Sequence, residues 1–225
     1  MRLIYISSAG NSHNKGSSAY VLASAVVRDI NIQQVTWNIR TLMGESGGLP
    51  WDNESGKTGA VLSGALLAGN CDAGQCAANS RLIGGITKII KSFDIRIFAA
   101  VIRKNEHYRK YLIPEPVDMI AAEKLALRCE EYLGRARDQG MLILGAGEEN
   151  ARVSKCFSEW LLKRWMGYQG LPNIVENPVS ISGAASAMTG FSAFCADAVL
   201  KRYEQGWDEG RGKIWSHFKV RMYPE

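Results

Sequence analysis

The stretch Leu3-Ile4-Tyr5-Ile6-Ser7-Ser8-Ala9-Gly10-Asn11 decides how the rest of this chain is interpreted. Its four apolar residues predict a β-strand, and the small residues that follow predict a turn. Catalytic groups are often mounted on such a turn, because the strand fixes the backbone while the turn exposes the side chains. Here the turn offers two hydroxyls, an alanine and a glycine, without a carboxylate, an imidazole or a thiol. The stretch therefore looks like an active-site strand without its catalytic side chains, which raises the question of whether the protein is an enzyme.

Outward from this stretch, the sequence predicts strands first and then strands separated by helices. Apolar runs predict strands over 20–27, 94–102 and 141–144, an edge strand over 173–176 and a last strand within 213–223. Periodic apolar residues predict helices over 80–93, 117–137, 148–168 and 184–204, whereas 29–43 fits either a helix or a strand. This order predicts an α/β fold with a mixed sheet flanked by helices.

Length and composition predict one domain over residues 1–225, since 225 residues that are 46% hydrophobic can bury a sizeable core. The glycine-rich segment 44–79 breaks the pattern and predicts an insertion or a mobile lobe. No apolar run approaches the length of a membrane span, and the amino terminus is too short in apolar residues for a signal peptide. Five scattered cysteines also fit a reducing compartment. We therefore expect a cytoplasmic protein without a membrane partner.

The net charge of +5 is compatible with a polyanionic partner. The densest basic stretch, 103–111, contains Arg103, Lys104, Arg109 and Lys110 together with two tyrosines. Cations and aromatic rings in this combination suit a nucleic-acid strand. The alternative is a solvated connection after a strand.

The order of segments resembles the bacterial and phage family filed as "domain of unknown function 3800", whose fold is ribonuclease-H-like. The segments that carry the resemblance are Leu3-Ile4-Tyr5-Ile6 with its small-residue turn, 20–27, Val101-Ile102, Met141-Leu142-Ile143-Leu144, and Ala196-Asp197 followed by Lys201-Arg202-Tyr203-Glu204. They span most of the chain, and 44–79 is poorly matched.

Members of that family typically end the first strand in Asp-Glu-Ser-Gly, carry another acid at the end of the strand that corresponds to 141–144, and have an Ala-Asp pair on the last helix. These carboxylates would hold Mg²⁺ for phosphodiester hydrolysis. In this chain Ser7 and Ser8 stand at the Asp-Glu pair, only Gly10 persists from the turn, and the strand-end acid falls at or next to Gly145. The resemblance therefore implies a site from which most acids have been lost.

Asp197 is the acid that remains, and a register shifted toward Ser192 would leave none. We expect a degenerate, catalytically inactive nuclease-like domain that needs no cofactor and binds DNA, RNA or a protein partner. One alternative is a divergent Mg²⁺-dependent nuclease that uses Asp197 with Glu148 or Glu149. Another is a structural subunit of a larger assembly, in which 44–79 orders on a partner protein.

Overall fold

The computed structural model describes residues 1–12, 17–45, 73–145, 148–167, 172–181, 186–204 and 214–224. Within these ranges the strands are β1 (Arg2–Ala9), β2 (Ala19–Arg28), β3 (Arg96–Arg103), β4 (Gly140–Gly145), β5 (Val179–Ile181) and β6 (Phe218–Tyr223). The α-helices of the same ranges are α1 (Ile32–Glu45), α2 (Ala73–Ser92), α3 (Lys104–Lys110), α4 (Val117–Ala136), α5 (Glu148–Met166) and α6 (Ala187–Glu204).

The described strands form one six-stranded sheet in the order β5-β4-β1-β2-β3-β6. Strand β2 is antiparallel to both β1 and β3, whereas β4 is parallel to β1, β5 to β4, and β6 to β3. The carboxyl ends of β1, β3 and β4 consequently lie at the same end of the sheet. The architecture is therefore α/β with a mixed sheet flanked by helices, as the sequence predicted, and it is consistent with a ribonuclease-H-like fold.

Both faces of the sheet are covered by helices, and the central strand β2 shows why. Successive side chains of a strand point to opposite faces. Val21 and Ala23 face a core shared with α1, α2 and α6, whereas Tyr20 and Leu22 face a core shared with α4 and α5. A strand that is buried on both faces needs a nearly continuous apolar sequence, and residues 20–27 provide one.

Two segments of undecided or misjudged structure are helical because of their packing. Helix α1 places Val35 and Ile39, four residues apart, in the core, so tertiary contacts outweigh the low helix propensity of its β-branched residues. Residues 104–110 form α3 instead of an irregular connection. Lys104 and His107, three residues apart, are both buried there, and this is the spacing of one helical face.

The sequence misplaced the edge strand and the start of one helix. Within 173–176 only Ile174 forms a bridge, to Gly140, and the strand that pairs with β4 is Val179–Ile181. Helix α2 begins at Ala73, before the predicted start at residue 80. The predicted insertion over 44–79 lies outside the described residues except at its two ends, which belong to α1 and α2. None of the helices in the described part of the chain combines the length and apolar character that crossing a bilayer requires.

Candidate functional site at the carboxyl ends of β1 and β4

Ser7 joins the end of β1 to α6 through a buried hydrogen bond. The side chain is 6% exposed and points to the same face as Leu3 and Tyr5, toward the core that contains α6. Its Oγ lies 2.7 Å from the Oγ of Ser192, which is 0% exposed. Ser192 donates to the carbonyl oxygen of Thr189 at 2.9 Å, and the Ser7 Oγ lies 3.3 Å from the same oxygen. Two neutral hydroxyls therefore connect strand and helix.

Ser8, the second residue of the replaced acidic pair, lies on the other face of the sheet. It follows the alternation of Ile4 and Ile6, which face the core with α4 and α5, and it is partly buried. Ser7 and Ser8 consequently do not form one cluster. Gly10, which completes the turn, has φ +79°, and a Cβ there would lie 2.6 Å from the carbonyl oxygen of Ala19. Only glycine fits this position without strain.

Gly145 ends β4 beside the same helix. A Cβ at this position would lie 3.2 Å from Nδ2 of Asn150 and 3.9 Å from Cβ of Thr189. Thr189 is thus the common neighbour of Ser7 and Gly145. A side chain at position 145 would require the Asn150 amide to shift by a few tenths of an ångström.

Asp197 does not face this junction. It follows Ser192 by five residues, which corresponds to a rotation of about 140° around the helix axis. Its Oδ2 lies 3.1 Å from Nζ of Lys201, one turn further along α6. The residue of α6 that hydrogen-bonds to Ser7 is Ser192.

The chemistry available at the junction of Ser7, Gly145, Thr189 and Ser192 is that of neutral hydrogen-bonding groups. Hard divalent cations require several anionic or carbonyl oxygen ligands, and no three His, Cys, Asp or Glu side chains within the described ranges come together as a metal site. Glu148 and Glu149 begin α5, but their side chains lie outside the description.

The basic stretch 103–111 is divided between internal anchors and exposed cations. Arg103 forms an ion pair of 2.8 Å with Glu106 and donates to the carbonyl oxygen of Pro224. Lys104 is 2% exposed, and its Nζ donates to the carbonyl oxygen of Asn11 at 2.7 Å. Burial lowers the pKa of Lys104 from its ordinary value. Both cations therefore hold the end of β3 to neighbouring segments.

Arg109 and Lys110 occupy the last turn of α3, and both are exposed. They are the members of the predicted nucleic-acid-binding set that present charge to solvent. The four predicted nucleic-acid-binding cations therefore do not share one surface. Lys104 can be buried because the carbonyl oxygen of Asn11 accepts its hydrogen bond.

The sequence did not predict a cavity of about 460 Å³ that is lined in part by Ser12, just after the carboxyl end of β1. It lies between α4 and α5, where Asp118 and Arg152 form a pair of 2.7 Å and Arg152 also donates to Ser12. Cys156 lines it too, and burial, then the nearby Asp118 and Glu159 carboxylates, raise the pKa of this thiol to about 11. No spacing in the sequence pairs residues 118 and 152. Their mutual neutralisation leaves no net charge from the pair in the cavity.

Comparison with protein-family models gives no match for this chain. None of the curated proteins matches it significantly.

Proposed function

We propose that this chain is a degenerate nuclease-like domain that acts by binding nucleic acid without cutting it. This hypothesis depends on the resemblance of the sequence to the "domain of unknown function 3800" family. The observation that supports it most directly is the hydrogen bond of 2.7 Å between the Ser7 and Ser192 hydroxyls. In the family pattern, the position of Ser7 would hold the first carboxylate of the Asp-Glu pair.

A neutral pair at this place is incompatible with the metal chemistry that the resemblance implies for active members of that family. Two-oxygen coordination by hydroxyls gives Mg²⁺ neither the charge nor the number of ligands that it needs. Without the cation, neither a water nucleophile nor the leaving oxygen is stabilised. The pairing of Asp197 with Lys201 further argues that this carboxylate has a structural role.

The test is a cleavage assay on single- and double-stranded DNA and RNA with Mg²⁺ or Mn²⁺. We expect no cleavage above the buffer background, together with measurable binding to at least one of the substrates. The control variants are Asp197→Asn and Lys201→Gln, because both break the same ion pair but only the first removes the carboxylate. Cleavage by the wild type that Asp197→Asn abolishes and Lys201→Gln leaves intact would favour a divergent metal nuclease instead.

A calorimetric titration separates the two readings independently of any substrate. We expect no heat of binding when Mg²⁺ or Mn²⁺ is added to the protein. Saturable binding that disappears in Asp197→Asn would contradict the proposal.

A further inference from the structure

A cationic groove lies at the outer edge of the sheet, and none of its cations belongs to the basic stretch 103–111. Helix α4 packs on β2 and β3, and β6 continues the sheet beyond it. The groove between them has a volume of about 460 Å³. Five cationic side chains line it, and they define what we call the basic groove: Arg96, Arg128, Arg135, Lys219 and Arg221.

The strand register places these side chains on two walls. Phe98 of β3 pairs with Lys219 of β6, and Ala100 pairs with Arg221, so Lys219 and Arg221 point to the α4 face of the sheet. They are two residues apart, which separates them by roughly 7 Å along the strand. Arg128 stands on the opposite wall. A flexible anionic chain that enters the groove would therefore meet cations on both sides.

The charge of the basic groove is only partly compensated. Glu131 pairs with Arg135 at 2.5 Å, and Arg96 pairs with Asp94 at 2.6 Å. Arg128, Lys219 and Arg221 form no ion pair with any residue that the structure describes. Positive charge concentrated in a concave surface attracts anions and raises their local concentration.

His217, which precedes β6, lies within the electrostatic influence of two cations of the basic groove, Arg96 and Lys219. Its pKa is lowered from the ordinary value by burial and then by the charges of Lys91, Arg96 and Lys219. This effect is independent of the shape of the groove. It supports a local excess of positive charge at this edge of the sheet.

Four of the five cations of the basic groove are arginines, whose planar guanidinium groups bind phosphate oxygens in pairs. The partly exposed ring of Tyr132 lies beside Phe98, at 5.5 Å between centroids. Cations that follow a backbone, with an aromatic ring among them, are the usual means of binding single strands without sequence preference.

We propose that the basic groove binds the sugar-phosphate backbone of single-stranded nucleic acid. The inference rests on the proposed function and assigns to it a surface other than the end of β1. Neither Lys104 nor Arg103 belongs to this surface, because both are engaged in contacts within the protein.

The test is fluorescence anisotropy with labelled 20-nucleotide dT and U homopolymers over a range of salt concentrations. The first variant is Lys219→Gln with Arg221→Gln on β6, and the second is Arg128→Gln on α4. The matched control is Lys88→Gln with Arg81→Gln, which removes one lysine and one arginine that are exposed on α2, on the other side of the sheet. Circular dichroism and the melting temperature establish that each variant is folded.

Each phosphate contact contributes about 0.7 to the slope of log K against log salt for a single strand. We therefore expect the β6 double variant to lower the slope by about 1.4 and to bind about 25-fold more weakly at 0.1 M salt. Arg128→Gln should lower the slope by about 0.7 and the affinity about fivefold. The control pair should match the wild type.

The other outcomes overturn the inference in distinguishable ways. Wild-type binding that the groove variants leave unchanged, and that Arg109→Gln with Lys110→Gln weakens, refutes the basic groove but leaves the proposed function standing. Absence of any nucleic-acid binding by the wild type refutes both. Binding of poly-glutamate, but not of the homopolymers, that the β6 variant abolishes would identify an acidic peptide as the partner and refute the inference.

Discussion

Replacing Ser7 by aspartate restores a carboxylate at the end of β1, and we predict that it destabilises the protein in a pH-dependent manner. The new side chain would be almost fully buried, since Ser7 is 6% exposed and Ser192 is 0% exposed. The Ser192 hydroxyl, 2.7 Å from the present Ser7 Oγ, could donate to it. The Thr189 carbonyl oxygen, 3.3 Å from the present Ser7 Oγ, would repel the charge.

The magnitude follows from the pKa of this carboxylate in the two states. Desolvation and a facing carbonyl raise the pKa of a buried carboxyl group in the folded protein, whereas in the unfolded chain it stays at about 3.9. Between these two pKa values the folded state binds more protons, so stability is retained below about pH 4 and lost as the pH rises through the folded pKa. A rise of about 2 pKa units corresponds to a loss of about 2.7 kcal/mol between pH 4 and pH 7.

The assay is urea denaturation of Ser7→Asp and Ser7→Asn between pH 4 and pH 8, with and without 10 mM Mg²⁺. Asparagine has the same shape without the charge, so the difference between the two variants isolates the cost of ionisation. If the two lose stability equally over this range, the junction is not the neutral, buried environment that we describe. A site with Kd of about 1 mM would gain about 1.4 kcal/mol from the Mg²⁺. Such a gain, seen in Ser7→Asp alone, would show that the place still accommodates a metal ion.

Three further predictions concern this hydroxyl pair and two other buried side chains. A double-mutant cycle of Ser7→Ala and Ser192→Ala should give a coupling of about 0.5–1.5 kcal/mol in the free energy of unfolding, and strict additivity would mean that the hydroxyls do not interact. Lys104→Met should cost about 0.5–1.5 kcal/mol, because the hydrogen bond from Lys104 to the Asn11 carbonyl oxygen is lost. Since burial lowers the pKa of Lys104, the wild type should gain stability as the pH rises toward 10.5, and Lys104→Met should lack this gain in urea titrations. Burial raises the pKa of Cys129 to about 12, so peptide mass spectrometry should find it unmodified by iodoacetamide at pH 8 in the folded protein and modified in urea, whereas modification in the folded protein would contradict its burial.

The sequence predicted the sheet and the long helices because their signals are local. The continuous apolar run 20–27 identifies a strand covered on both faces, and the periodic residues of 117–137 identify the helix that begins at Val117 and ends at Ala136. The edge strand failed, since β5 is only three residues long and has little sequence of its own to read. Its position depends on pairing with β4 instead.

Only the part of the candidate site that lies on β1 was predicted from the sequence. Ser7 was identified from the strand and turn that contain it. Whether Ser192 or Asp197 stands opposite could not be decided, because the two differ by about 140° of helix rotation and both lie within the same helical segment. The packing of α6 on β1 settles it, and that is a long-range property.

The surroundings of Lys104 and of the basic-groove cations could not be predicted for the same reason, because they depend on contacts between distant segments. Lys104 lies in a stretch that reads as solvated, but its hydrogen-bond acceptor is Asn11, 93 residues away. The basic groove combines the first residue of β3, two residues of α4 and two of β6. The alternation Phe-Lys-Val-Arg-Met-Tyr in β6 indicates that Lys219 and Arg221 share a face, but nothing local indicates that Arg128 faces them.

Strand β6 also has a consequence for the order in which the molecule is assembled. Ile97 pairs with Phe218, 121 residues later in the chain. Contacts between such distant segments form slowly, because a long loop must be closed before they stabilise anything. One wall of the basic groove is thus supplied by a strand synthesised long after the other, and until it docks, the edge of β3 remains open to pairing with other chains. If the basic groove binds nucleic acid, a chain would therefore acquire this affinity only after β6 has docked. Chains in which β6 has not docked would instead be prone to aggregate.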